Sequence, residues 1–275
     1  MTVQTNSSFL SPPELWGRTV ESLWCLGDCS LLDWPTVSIV GTRDLSPGGE
    51  TRARKITTLL VQAGCCIVSG LAAGVDTVAH ETALSLGGKT IAVMGTPIDE
   101  CYPKENRDLK RRIVESGLVL SQFRPGSKFN RGNFPQRNGL MAAISAVTFV
   151  VEAQIDSGTR HQVKAAIALG KKVAFLSSLV NLNFPWVVEA IHSGHGVSIQ
   201  EPSDALGLLT LLGIVKPKKS QVCGSENFVR RPKSELDVEP FLLEPTPTGH
   251  VRHRKVAKHS PIEGLPMGVN RENKL

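Results

Sequence analysis

The sequence lacks the features expected of a membrane or secreted protein. It contains no run of about 18 uninterrupted apolar residues, so we expect no membrane-spanning helix and no membrane partner. Its first eight residues, MTVQTNSS, contain neither a basic nor an apolar segment, and we therefore expect no secretory leader. These absences favour a cytoplasmic protein.

The sequence also lacks a cysteine framework, a dinucleotide fingerprint and an obvious catalytic constellation. Its six cysteines (25, 29, 65, 66, 101 and 223) match no disulfide or zinc spacing, and adjacent Cys65 and Cys66 lie in an apolar strand. We predict reduced thiols and no metal site. No G-x-G-x-x-G motif follows a predicted strand, so no cofactor is expected, and we predict a protein that is not an enzyme.

The positive charge is concentrated at one end of the chain. The net charge is +6, and residues 216–275 hold 12 of the 31 basic residues, 7 of the 25 acidic residues and 7 of the 17 prolines. That segment shows no apolar periodicity. We divide the chain into an N-terminal lead-in (1–35), a central domain (36–212) and a basic, proline-rich tail (213–275). We predict that the tail is disordered, or ordered only on a partner.

Short apolar strands alternate with helical patterns through the central part of the chain. Strands are predicted at 36–40, 66–68, 90–94, 118–120, 147–151 and 172–176, and helices at 50–63, 75–86, 108–115, 135–145 and 161–169. Continuously apolar strands separated by helices are typical of a parallel sheet that is covered on both faces. We therefore predict an α/β fold, an extended Rossmann-like, doubly wound and mostly parallel sheet.

Loops that carry glycine follow several of these strands. Because ligands of such sheets bind beyond the carboxyl ends of the strands, aligned glycine loops there predict a phosphate pocket. A single glycine after a strand would be only a turn, Arg43 could pair with a surface carboxylate, and Asp76 could be a helix cap. The candidate binding residues in these loops are Gly41, Thr42, Arg43, Ser69, Gly70, Gly74, Asp76, Gly95, Ser157, Gly158 and Thr159.

Residues 133–138, Asn-Phe-Pro-Gln-Arg-Asn, add an aromatic ring and polar side chains beside these loops. Phe134 could stack on a base, Arg137 could bind a phosphate, and Asn138 supplies an amide. Phe134 could instead be a core ring. We interpret the set as a binding site for single-stranded DNA.

These residues resemble the DNA-processing protein A family (DprA, also called Smf). The resemblance implies an extended Rossmann fold that binds single-stranded DNA and loads the RecA recombinase during natural transformation or recombination, usually as a homodimer. It also implies that Arg43, Ser69, Gly70, Phe134, Arg137 and Asn138 line the DNA pocket, with Arg131 where the family tends to place another basic contact. The chain has Ala73 and Gly139 where the family commonly has arginine, which we expect to weaken phosphate binding. The matching stretches are 37–43, 68–80, 88–95, Tyr102-Pro103, 133–138 and 150–153 with Ser157-Gly158.

Two other functions compete with DNA binding. Nucleoside-monophosphate phosphoribohydrolases of the LOG group have a related sheet and a Gly-Gly-x-Gly-Thr-x-x-Glu motif. Here Gln162 stands where their catalytic glutamate would be, and an amide cannot act as a carboxylate base. Glu152 could substitute in principle, although it lies on the other side of the loop. The second alternative is a nucleotide-sensing module that uses the same pocket without chemistry.

Overall fold

The computed structural model describes residues 3–6 and 22–216. The predicted tail therefore lies outside the described residues, apart from its first four positions. The strands are β1 (Val3–Asn6), β2 (Ser22–Gly27), β3 (Thr36–Val40), β4 (Cys66–Ser69), β5 (Thr90–Met94), β6 (Leu118–Ser121), β7 (Val147–Val150), β8 (Lys172–Leu176) and β9 (Gly196–Ile199). The α-helices are α1 (Pro47–Gln62), α2 (Val75–Ser85), α3 (Arg107–Ser116), α4 (Asn133–Ile144), α5 (Thr159–Ala168), α6 (Ser177–Val180), α7 (Pro185–His192) and α8 (Asp204–Leu211).

All nine strands belong to one sheet, in the order β1-β2-β6-β5-β4-β3-β7-β8-β9. The strands from β3 to β9 pair in parallel, whereas β2 pairs antiparallel with both β6 and β1. Every residue of β3 is buried, as expected for a parallel strand covered on both faces. The predicted doubly wound, Rossmann-like fold is confirmed.

Helices cover the sheet on both sides. Apolar residues of α4, α5, α6 and α7 form one core cluster with one face of the strands. Those of α1, α2 and α8 pack on the other face, together with a smaller cluster that includes α3. On α1, Ala53, Ile56 and Leu60 are buried at helical spacing and hold the helix against the sheet. The Ser46 side chain caps that helix by accepting a hydrogen bond from the Gly49 amide at 3.0 Å.

The structure extends the sheet beyond the predicted core. Ser22–Gly27, within the lead-in predicted for residues 1–35, forms β2, which pairs antiparallel between β1 and β6. At the opposite edge β9 pairs with β8, and α7 and α8 follow the last predicted strand. Of the helices within residues 22–216, none combines the length and apolar character needed to cross a bilayer.

The strand order reverses between β3 and β7. From β3 the chain proceeds outward through β4, β5 and β6, and it then returns to place β7 on the other side of β3. At such a switch point, the loops after the two neighbouring strands diverge to opposite faces and leave a crevice between them. The crevice lies where residues 41–46 and 151–158 leave the sheet.

Candidate functional site

A cavity of about 410 Å³ occupies the crevice at the switch point. Its walls come from the loops after β3 and β7, the start of α2 and one side of α4. Ten of the predicted site residues line it: Gly41, Thr42, Arg43, Asp76, Phe134, Arg137, Asn138, Ser157, Gly158 and Thr159.

Backbone hydrogen bonds fix the loop that carries Arg43. The Thr42 amide donates to the Glu152 carbonyl oxygen at 2.7 Å, and the Val75 amide donates to the Thr42 carbonyl oxygen at 3.2 Å. Gly74 has φ +77°, and a Cβ there would lie 2.2 Å from the Thr42 carbonyl oxygen. Only glycine permits this approach, so Gly74 holds the loop after β3 against the start of α2.

Two helices begin at the cavity. α2 starts at Val75, directly after Gly74, and α5 starts at Thr159. The Thr159 hydroxyl donates to the Gly41 carbonyl oxygen at 3.2 Å, which ties α5 to the loop after β3. The Val75 and Thr159 amides are already paired, with the Thr42 carbonyl oxygen and the Ser157 hydroxyl at 3.2 Å each. The helix dipoles still place partial positive charge at both N-termini, which favours an anion in the cavity.

Arg43 and Phe134 form the cationic and aromatic part of the wall. The Arg43 guanidinium carbon lies 5.0 Å from the centroid of the Phe134 ring, within cation–π distance. Arg43 is exposed, so its donors remain available to a ligand. Phe134 is half-buried, since one side of its ring packs on Gly95, where a Cβ would lie 2.5 Å from the ring. The structure therefore places Phe134 at the rim of the cavity rather than in the core.

Arg137 is buried beneath this pair. Its guanidinium donates to the carbonyl oxygen of Val93 at 2.7 Å and to that of Gly70, and its Nε donates to Asn138 Oδ1 at 3.0 Å. Burial lowers the pKa of Arg137, and the nearby Asp76 carboxylate acts in the opposite direction. Burial also raises the pKa of Asp76, which Arg137 and hydrogen bonding to the Ala72 backbone oppose. Since Arg137 joins the ends of β4 and β5, we interpret it as a residue that positions the site.

Several residues that were predicted to bind the ligand support the structure of the site instead. Ser69 is fully buried, and its hydroxyl donates to the Ile39 carbonyl oxygen at 2.7 Å, so the prediction that it lines the pocket needs correction. The Gly70 amide donates to the Asp76 carboxylate at 3.2 Å, which makes both residues part of the internal network. Gly74 and Gly95 allow the close approaches described above. Arg131 is exposed, outside the cavity wall and one turn before Phe134.

The sequence did not identify several residues of the wall. Asp156 lies next to Ser157 in the loop after β7, and Asp44 directly follows Arg43. Their position beside predicted site residues was the sequence feature that could have identified them. These carboxylates disfavour phosphate on their part of the rim. Gln154, Met141 and Gln162 also line the cavity.

The two residues considered for the hydrolase alternative have other hydrogen-bond partners. Gln162 is 1% exposed, and its amide donates to the Ser38 hydroxyl at 3.3 Å. Glu152 accepts hydrogen bonds from the Ser46 hydroxyl at 2.7 Å and from Arg52 at 2.8 Å. It therefore fixes the start of α1 and does not line the cavity.

His80 and the cysteines lie apart from the cavity wall. His80 is fully buried, its Nδ1 lies 2.7 Å from the Thr90 hydroxyl, and burial lowers its pKa to about 3. Burial raises the pKa of the Cys65 thiol to about 11. Within residues 22–216, no three His, Cys, Asp or Glu side chains are grouped so that they could hold a metal ion.

The fold and the site together define a Rossmann-like protein with a pocket at its topological switch point. The family described as DNA recombination-mediator protein A matches residues 14–193. The chain belongs to the DNA recombination-mediator protein A family, which confirms the resemblance drawn from the sequence.

Relatives of known name share the matched region. The chain is 42% identical over 186 residues to Protein Smf of Synechocystis sp., covering 65% of this chain and 46% of that protein. It is 40% identical over 151 residues to the DNA processing protein DprA of Streptococcus pneumoniae, covering 55% and 53%. The chain thus spans about half the length of these relatives.

Solved structures of relatives have the same fold. The X-ray structure of Streptococcus pneumoniae DprA matches with a TM-score of 0.65 and 31% identity, over 75% of this chain and 74% of that chain. DprA from Helicobacter pylori, whose structure was described for its single-stranded DNA binding mode, matches with a TM-score of 0.68 and 28% identity. That match covers 78% of this chain and 96% of that one.

Proposed function

We propose that this chain binds single-stranded DNA at the switch-point cavity and acts in DNA processing and recombination. The observation that carries the proposal is the exposed Arg43 lying over the Phe134 ring at the mouth of a cavity where two helices begin. Family membership and the single-stranded DNA binding of the Helicobacter pylori relative support it.

The two halves of the site suit the two parts of a nucleotide. A phosphate can accept the free donors of Arg43 and lie near the N-termini of α2 and α5. A base can contact the exposed part of the Phe134 ring, which a duplex would not allow because its base faces are already stacked. Asp44 and Asp156 direct the phosphates away from their part of the rim and towards Arg43.

Fluorescence anisotropy with labelled oligonucleotides tests the proposal. We expect tighter binding to oligo-dT than to blunt duplex of equal length, and an affinity that falls as salt concentration rises. Equal or tighter binding to the duplex would contradict the proposal. Mononucleotides in the same titration test the nucleotide-sensing alternative, which requires that a free nucleotide bind better than the oligonucleotide.

We extend the proposal to two partners. A recombinase of the RecA type is supported by the family's description as a recombination mediator, and a homodimer is supported by the resemblance alone. Co-purification with RecA in the presence of oligo-dT tests the first, and light scattering after gel filtration tests the second. A monomer at all concentrations would exclude the homodimer.

We also propose that the chain has no hydrolase activity. Gln162 replaces the carboxylate that the LOG reaction needs, and Glu152 is engaged by Ser46 and Arg52. Incubation with nucleoside monophosphates should release no free base. Release of base above the uncatalysed rate would contradict this proposal.

A further inference from the structure

Three aromatic rings form a continuous group that begins at the cavity and extends outward from it. Phe134 lies at the rim, and its ring centroid is 5.3 Å from that of Phe129 and 5.9 Å from that of Tyr102. Tyr102 and Phe129 stack on each other with centroids 5.8 Å apart and ring planes 24° apart. Tyr102 is the outermost ring and is 49% exposed.

The exposure of Tyr102 is unusual for so large a ring. Its hydroxyl makes no hydrogen bond to any residue that the structure describes, and the ring packs on Phe129 and Phe134. Phe129 is half-buried beneath it. The result is an open aromatic face that is supported from below, which is the arrangement that a planar ligand requires.

The chain segment that carries Phe129 is basic. Residues 122–132, between β6 and α4, contain Arg124, Lys128 and Arg131, all exposed, and no acidic residue. The amide of Gly126 in this segment donates to the Asp99 carboxylate at 3.0 Å, which anchors the segment beside Tyr102. Cations and aromatic rings that alternate along one segment are typical of surfaces that bind single strands.

The charges around the rings are distributed unevenly. On the side of Tyr102, exposed Lys104 is accompanied by exposed Glu100 and Glu105. The excess positive charge therefore lies on residues 122–132. A strand that crosses this surface would place its phosphates along that segment and turn its bases towards Tyr102.

We propose that Tyr102 and Phe129 form a second base-stacking site, the Tyr102–Phe129 platform, which continues the single-strand path outward from Phe134. The inference rests on the proposed function, since it assigns the next part of the same DNA path. The ligand is a nucleotide of a single strand that already occupies the cavity.

The platform can be observed directly because Tyr102 is the only tyrosine in the chain. Incorporation of 3-fluorotyrosine into the full chain gives a single ¹⁹F resonance that reports on this ring. We expect the resonance to shift as oligo-dT is added, and not to shift with an abasic oligonucleotide of the same length. An unchanged resonance at saturating oligo-dT would overturn the platform.

Substitutions measure what the platform contributes. We expect Tyr102→Ala to weaken oligo-dT binding on the order of 5- to 150-fold, the value of one stacked base. Tyr102→Phe should retain wild-type affinity, and neither change should alter binding to the abasic oligonucleotide. Trp34→Ala is the matched control, because Trp34 is a similarly exposed ring (42%) that precedes β3, at the amino ends of the parallel strands, whereas Tyr102 follows the carboxyl end of β5.

The outcomes separate the platform from the proposed function. If the wild-type protein binds no oligonucleotide, both are overturned. If Arg43→Ala weakens binding while Tyr102→Ala binds oligo-dT as well as the wild type does, the platform alone is wrong. Equal losses in Tyr102→Ala and Trp34→Ala would likewise overturn it.

Discussion

Arg43 and Arg137 both approach the Phe134 ring, but their guanidinium groups differ in what else they contact. The Arg137 guanidinium carbon lies 5.8 Å from the ring centroid, and its donors are used by the carbonyl oxygens of Gly70 and Val93. Arg43 lies closer to the ring and is exposed. From the sequence, both arginines were predicted to bind phosphate. The sequence could not distinguish them, because the burial of Arg137 depends on carbonyl groups that lie 67 and 44 residues away along the chain.

Arg43→Ala should therefore weaken binding to oligo-dT while leaving the fold intact. The expected loss is about 1–3 kcal/mol, the range for hydrogen bonds to charged groups. Anisotropy titration measures it, and circular dichroism checks the fold. The control is Arg111→Ala, which removes an equal charge from an exposed ion pair on α3 away from the cavity. If the two variants bind equally well, Arg43 is only a surface charge.

His80 should make stability depend on pH below about 6.5. The folded protein holds this histidine neutral, with a pKa of about 3, whereas in the unfolded chain it takes up a proton near pH 6.5. As pH falls through that window the unfolded state binds more protons, so folding should lose about 1.4 kcal/mol per pH unit from this residue. Urea unfolding at pH 7, 6 and 5 measures the loss.

The matched variant for this pH dependence is His80→Asn. Asparagine keeps a polar partner for the Thr90 hydroxyl and does not titrate. We expect it to be less stable at pH 7 but to show a shallower fall in stability with pH. An identical pH dependence in the two proteins would mean that His80 is already protonated in the folded state or is accessible to solvent.

At the scale of elements, sequence patterns located the central strands well. β5 (Thr90–Met94) and β8 (Lys172–Leu176) have the predicted bounds, because a short, largely apolar run that follows a glycine-bearing turn leaves few alternatives. β2 was missed, since it joins the sheet by pairing with β6, a strand far along the chain. Local patterns carry no information about such pairing. The aromatic group was missed for the same reason, because Tyr102 and Phe129 meet only in the folded chain.

The contact between the loop after β3 and the start of α2 can be tested with a pair of glycines. Gly74 and Gly64 both have positive φ, +77° and +84°, but a Cβ at Gly64 would meet nothing within 4 Å. Gly64→Ala should cost only the backbone strain, about 1–2 kcal/mol. Gly74→Ala should cost on the order of 1–3 kcal/mol more, because Gly74 has ψ −126°, which together with its positive φ disfavours residues with a Cβ, and because that Cβ would collide with the Thr42 carbonyl oxygen.

Urea unfolding of the two variants gives the comparison, and oligo-dT binding adds a second measurement. Displacement of Thr42 moves Arg43, so Gly74→Ala should also weaken binding, whereas Gly64→Ala should not. Equal free energies of unfolding for the two variants would mean that the loop yields to a Cβ without cost. The positioning of Arg43 would then need another explanation.

At the scale of the whole molecule, charge and recognition are assigned to different parts of the chain. Residues 216–275 hold 12 of the 31 basic residues, whereas the cavity lining within the described part of the chain comes from residues 40–162. The composition alone shows that basic charge is concentrated in residues 216–275. It cannot show how binding is divided between the two parts, because affinity for phosphates depends on how many contacts are made in the complex.

Removal of residues 217–275 measures how much of the DNA affinity each part of the chain supplies. This cut retains Ile214 and Val215, which pack on the cluster beneath α1 and α8, so the described core should remain folded. Overall affinity should fall and its dependence on salt concentration should become shallower, because fewer counterions are released. The preference for oligo-dT over duplex should persist, since we assign it to Phe134 and the cavity. If the truncated protein has normal circular dichroism but loses that preference, the recognition element lies in the tail. If the truncated core is unfolded, the domain boundary is wrong.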